Sequence, residues 1–182
     1  MQACDEDRAA EMIGRIEARL TGAGYERYEI SSYARPGRRA RHNARYWQRQ
    51  AVLGLGLGAH STEARSTAHP HGARRANPRS LAVWRAALDA DAASAGELET
   101  LSVETARGEA VFLALRQREG LDAAVFAAEF GRPPRAFFAD EIDRAVGRGW
   151  LIEEASGDLR LSASGRLLAD SVAAEFVAAS DS

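Results

Sequence analysis

Between Val52 and His60 leucine and glycine alternate as Leu53-Gly54-Leu55-Gly56-Leu57-Gly58. Period-two alternation predicts a strand over Val52–His60 with leucines on one face and glycines on the other. Glycine weakens a strand interior, so a glycine face argues for close approach by another backbone or a ligand, with tight strand packing as the plainer alternative. Upstream, Tyr28–Tyr33 alternates as another strand that Pro36-Gly37 ends, and His42, Asn43, Tyr46 and Trp47 then fall within one hexapeptide. Packed into positions 25–61, these residues read as the lining of a ligand site. Imidazole ligation, amide hydrogen bonding and flat apolar surface together suit a planar, partly apolar, metal-containing ligand.

Around this centre the chain divides. Asp5–Leu20 carries Met12, Ile13, Ile16 and Leu20 at helical spacing, acids in the first turn, and Gly22 and Gly24 as a stop, which predicts an amphipathic helix. Helix, glycine loop and strand make half of an α/β repeat. Asn77-Pro78 reads as the N-cap and first turn of a helix striped by Leu81, Trp84 and Leu88, and residues 90–99 read as a linker. Beyond it come a helix from Ser102 to Gln117, one from Asp122 to Phe130, and one after Pro133-Pro134 bearing Phe138, Ile142 and Val146. A hairpin of Trp150–Glu153 and Leu159–Leu161 around Gly157-Asp158 follows, then a helix bearing Leu168, Val172 and Phe176. That order is winged-helix-like. The expected fold class is α/β over residues 1–98, plus a small, mostly helical α+β unit over 99–182.

Winged helices often bind nucleic acid, yet residues 99–182 hold nine Arg against fifteen acids, a net of −6. Phosphate neutralisation dominates non-specific affinity, so nucleic acid is not an expected partner. Residues 27–79 hold eleven Arg against Glu29 and Glu63, a net of +9, which fits either a solvated loop surface or a mouth receiving carboxylate or phosphate. All 24 basic residues are Arg, which biased codon usage explains more simply than selection for guanidinium chemistry. No run approaches the ~18 apolar residues of a membrane span and the N-terminus lacks a secretory pattern, so a cytoplasmic setting without membrane insertion is expected. Cys4 is the only cysteine, which excludes an intrachain disulfide and any thiolate cluster from this sequence alone.

Several chemistries fail on context. Gly54, Gly56 and Ala59 satisfy the relaxed dinucleotide fingerprint, but His60–Gly72 has no amphipathic period to supply the helix that must hold the pyrophosphate. His60, His69 and His71 match no helix or strand face, which argues against a zinc set. His60 sits where the glycine strand ends, either as functional lining or as a cap of loop carbonyls. His42 is either a surface histidine with Tyr46 and Trp47 anchoring its loop, or an iron ligand. Haem would unite the features: imidazole for the iron, aromatic faces for the ring, Arg for the propionates.

YEISSYARPG, HNARYW, LGLGLGAHS, NPRSLAVWRAAL, LSVETARGEAVFLALRQREGLD and the final GWLIEE and LRLSASGRLLAD segments together resemble a known family. In order, from about Asp5 to Phe176, they are similar to the C-terminal half of HemW, the radical S-adenosylmethionine haem chaperones related to oxygen-independent coproporphyrinogen III oxidase. HNxxYW is the most specific motif, and the family associates it with haem binding. Carried over by position, it implies His42 as the axial metal ligand, with Asn43, Tyr46 and Trp47 at the haem. Arg35, Arg38, Arg39, Arg41 and Arg45 become propionate candidates, and Gly56, Gly58 and His60 candidate lining.

The resemblance implies the end of a radical-SAM barrel over 1–98, a HemN-type C-terminal domain over 99–182, and haem delivery to recipient haemoproteins. In the complete family protein a CxxxCxxC motif holds a [4Fe-4S] cluster that binds S-adenosylmethionine. Cys4 cannot replace it, so a truncated chain, not catalytic alone, is expected. The alternatives are a coproporphyrinogen III oxidase-type enzyme and a non-catalytic interaction module. An open barrel edge would favour self-association.

Overall fold

The acidic first turn and apolar stripe of the N-terminal segment produce helix α1, Glu6–Gly22, in the computed structural model, which describes residues 5–90 and 96–180. Cys4 lies outside the described residues. Met12, Ile13 and Ile16 stay exposed, whereas Leu20 is half-buried. The single strand expected over Tyr28–Tyr33 is instead a turn between two short strands, β1 (Glu26–Arg27) and β2 (Tyr33–Ala34), paired antiparallel. Glu29 causes the reversal. Its carboxylate accepts the Ser31 amide at 3.1 Å and hydroxyl at 3.3 Å, while the Tyr28 amide donates to the Ser32 carbonyl at 3.1 Å.

The His-Asn hexapeptide forms a short helix, α2 (Arg41–Trp47). The largest correction concerns the glycine alternation that follows. Val52 alone pairs, with Thr62; the chain then turns through Gly56 (φ +97°) and Gly58 (φ +66°), and the extended strand is β3, His60–Glu63. Leu53 and Leu55 are 76% and 80% exposed, so the leucine face buries nothing. The segment folds onto its own continuation instead. Gly54 approaches His60 so closely that a Cβ would lie 2.3 Å from its carbonyl oxygen, and its amide donates to Ser61 Oγ at 3.0 Å. Gly54 thus makes the close backbone approach expected of a glycine face, whereas a Cβ on Gly56 would meet nothing within 4 Å and one on Gly58 only the Arg79 side chain.

Strand β4 (Ala73–Ala76) pairs antiparallel with β3, forming a hairpin. Asn77, expected as a helix cap, instead donates its side-chain amide to the Gly54 and Gly56 carbonyls at 3.3 and 2.8 Å, pinning the glycine loop. Helix α3 (Leu81–Asp89) begins after Ser80. The expected linker ends in a strand, β5 (Glu97–Thr100), paired antiparallel with β4; residues 91–95 of that linker lie outside the described residues. Every strand pairing among the described residues is antiparallel, so the parallel sheet of a barrel is not formed within them. Residues 64–72, between β3 and β4, are too short a connection for the crossover that would make these two strands parallel.

The C-terminal elements follow their caps. Ser102 accepts the Thr105 amide and starts α4 (Val103–Leu115); Asp122 accepts the Val125 amide and starts α5 (Ala123–Phe130), which Gly131 ends at φ +80°. Helix α6 (Arg135–Gly147) leads to the hairpin of β6 (Leu151–Glu153) and β7 (Leu159–Leu161). The expected last helix is two, α7 (Ala163–Leu167) and α8 (Ala169–Ser180), broken at Leu168, which is consequently exposed. On α6, Ala145 turns inward in place of Val146. No helix among the described residues is long and apolar enough to cross a membrane.

The apolar core gathers Val111 and Leu115 of α4, Phe126 and Phe130 of α5, Phe138 and Ile142 of α6, Leu151 and Leu159 of the hairpin, and Val172 and Phe176 of α8. Helix α4 packs along α8, and the Phe138 and Phe176 rings meet edge-on at 5.5 Å. Phe176 is fully buried, so Phe176→Ala should lower stability by about 3–5 kcal/mol, read from denaturant midpoints, whereas Val125→Ala on the exposed face of α5 should change it by less than about 0.5 kcal/mol.

Candidate functional site

Helix α2 is short, has no side-chain cap and buries none of its residues, so its place depends on what grips it. Just after it, Arg49 takes φ +52°, alone among the described non-glycine residues, a conformation that costs about 1–2 kcal/mol. Its guanidinium offsets that. One nitrogen donates to Glu129 of α5 at 2.6 Å, another to the His71 carbonyl at 3.2 Å, and the group lies 5.8 Å from the Phe130 ring centre. Trp47 is gripped as well: Arg116, at the end of α4, stands 5.0 Å from its ring centre, and Gln117 Nε2 donates to its carbonyl at 3.5 Å.

These contacts leave a cavity of about 920 Å³ between α2, the β3–β4 hairpin, α4 and α5, near the upper end of small-ligand sites. Asn43, Tyr46 and Trp47, spaced i, i+3 and i+4, form its α2 wall. Phe112 and Leu113 supply apolar surface opposite. The Trp47 indole N–H is buried without an acceptor. His42 does not line the cavity. It is exposed, one turn before Tyr46, with its ring edge-on to the Tyr46 ring at 5.2 Å.

Other candidates lie elsewhere. Gly56 lines a different cavity beside α3, and neither Gly58 nor His60 lines the α2 cavity. None of Arg35, Arg38, Arg39, Arg41 and Arg45 lines it either. Arg35 stacks on Tyr25 at 5.4 Å, Arg39 pairs with Glu119 at 2.7 Å, and Arg45 donates to the Ala51 carbonyl at 3.4 Å. Arg38 and Arg41 are exposed. His69 meets Thr100 at 3.1 Å, and no group of three or more metal-ligating side chains forms among the described residues.

The arginines that do reach the wall are Arg49, Arg65 and Arg74, each paired across to an acid of the helical half. Arg49 and Arg65 share Glu129, and Arg74 contacts Glu109 and, at 3.0 Å, Glu99. The basic middle of the chain hinted at the arginines. Nothing local marked Glu109 or Glu129, whose partners are distant in sequence.

Residues 101–168 match the HemN C-terminal domain family. The heme chaperone HemW of Mycobacterium tuberculosis is 30% identical over 176 residues, covering 94% of this chain and 40% of that protein. The chain is similar to HemW over nearly all of its length. HemW of Bacillus subtilis is 25% identical over 172 residues, covering 94% of this chain and 43% of its own length. The chain thus spans about two fifths of these relatives. The solved structure of Escherichia coli coproporphyrinogen III oxidase (HemN), described as a radical SAM enzyme, superposes with a TM-score of 0.65 over 90% of this chain and 39% of that one. At 17% identity the likeness is one of fold.

Burial raises the Glu109 carboxyl above its ordinary value of 4.5, outweighing the pull of Arg74 and Arg49. In the window above 4.5 the folded state therefore holds more protons than the unfolded one, and the Glu109 contribution to stability falls as pH rises. Glu109→Gln should remove that dependence. Urea midpoints of the two proteins measured against pH should diverge there, wild type losing stability relative to the variant as pH increases.

Proposed function

We propose that this HemW-like chain binds haem at the α2 cavity and passes it to recipient haemoproteins in the cytoplasm. The observation that carries the reading is the placement of HNARYW: one helix sets Asn43, Tyr46 and Trp47 along a 920 Å³ cavity and holds His42 exposed beside it. In this reading His42 Nε2 or Nδ1 is the axial nitrogen, and Tyr46 and Trp47 lie against the macrocycle. The imidazole is held only by the Tyr46 ring edge, so ligation breaks no hydrogen bond among the described residues. The buried, unpaired Trp47 N–H is a donor suited to a ligand carboxylate, and the exposed Arg38 and Arg41 suit the propionates that extend past the cavity.

The reading also divides the chain near residue 99, the second part being a winged-helix-like domain. Support comes from the large apolar cluster, whose buried members run from Leu101 to Phe176 and include none from the first part. The cluster chemistry of radical SAM proteins requires cysteines beyond Cys4, so haem binding, and not reductive cleavage of S-adenosylmethionine, is assigned to these residues.

Titrating the chain with haem should develop the absorption band of imidazole-ligated iron, and His42→Ala should weaken binding about tenfold or more, equivalent to about 1.4 kcal/mol. A spectrum and affinity unchanged by the substitution would remove His42 from the site.

A further inference from the structure

Apart from the α2 cavity, a smaller pocket of about 330 Å³ lies where the Arg27–Ile30 segment meets the end of α4 and the β7–α7 region. Arg27, Arg116, Arg118, Arg160 and Arg166 line it, against the single carboxylate of Glu29. Some of that charge is answered from outside the lining. Arg27 pairs with Glu17 at 3.2 Å, Arg160 with Glu154 at 2.9 Å, and Arg116 with Asp170 at 2.5 Å as well as with Glu29 at 3.4 Å. Arg118 and Arg166 have no carboxylate within salt-bridge distance among the described residues. The Nε donors of Arg116 and Arg166 are both buried without an acceptor.

A buried donor left unpaired costs about 1–3 kcal/mol, more when charged, and two such donors on residues lining one pocket with excess positive charge suit that pocket to an anion. Burial lowers the Arg166 pKa from its ordinary value, and repulsion from Arg27 and Arg160 adds to the shift. Buried Leu115 and Leu161 form part of the wall, so charges inside are poorly screened. We propose that this pocket is a binding site for a small phosphate-class oxyanion, either free or as the phosphoryl group of a small molecule. A tetrahedral dianion can accept from several guanidinium forks at once and so can answer both unpaired Nε donors.

The test is thermal unfolding of the full chain at constant ionic strength in orthophosphate, in a small phosphate monoester, and in chloride. Wild type should melt higher in at least one phosphate arm than in chloride, and the arm giving the larger rise distinguishes a free ion from a phosphoryl group. Arg166→Gln should weaken the phosphate affinity obtained from the midpoints about tenfold or more while leaving the midpoint in chloride unchanged or raised, because it deletes an unpaired cation. Arg160→Gln, at a more exposed position, should weaken the affinity in the same direction. Equal midpoints in phosphate and chloride, or a phosphate response that survives Arg166→Gln, would overturn the proposal. So would an RNA oligonucleotide that binds through Arg166 when neither small phosphate does. Haem titration of Arg166→Gln should match wild type, so this site and the haem reading stand or fall separately.

Discussion

Helix α2 sits where it does because guanidinium groups hold the chain at its C-terminal end. Arg116 reaches from α4 to the Trp47 ring, and Arg49 reaches from the residue after the helix turn to Glu129 of α5. A seven-residue helix with no cap and no buried residue has little intrinsic stability, so tertiary contacts supply its order. The Arg49–Glu129 pair is the anchor that is costly to break, because both side chains are largely removed from water and losing either would leave the other charge buried and unpaired. The cavity beside α2 is a consequence of those anchors: the helix is tied at one end to a rigid helical core, and the space between is walled by the β3–β4 hairpin.

The C-terminal half was legible because its signals are local. Ser102, Asp122 and Gly131 each act on their own helix end, and the apolar residues of α4 to α8 recur at the spacing their burial requires. The misses there are single positions, Val146 and Leu168, where a helix rotated or broke by less than one turn. The glycine segment failed for another reason. Alternation defines a strand only when a partner strand accepts it, and the partner available to Val52 was its own continuation at Thr62, which left Leu53, Leu55 and Leu57 outside.

At the candidate site the hexapeptide was visible by its residue types, and three of its four notable side chains share one wall. The charged part of that wall was not visible. Glu109 and Glu129 belong to the acidic half of the chain and meet Arg74 and Arg49 only once both halves are folded, so the +9 and −6 of the two stretches are partly a set of long-range pairs. Net charge by segment described complementarity between halves of one molecule as much as affinity for anything outside it.

The Glu29 turn joins those halves through main chain as well. Glu29 bridges Gln117, the Ile30 amide donates to the Arg116 carbonyl at 3.0 Å, and the Arg118 amide donates to the Tyr28 carbonyl at 3.2 Å. Those two amides are sealed by a seam stitched to the tail of α4, so their exchange with deuterium reports opening of that seam and not fraying of β1 and β2. The seam couples the fluctuations of an otherwise sparsely buried region to the cooperative unit built on α4 and α8.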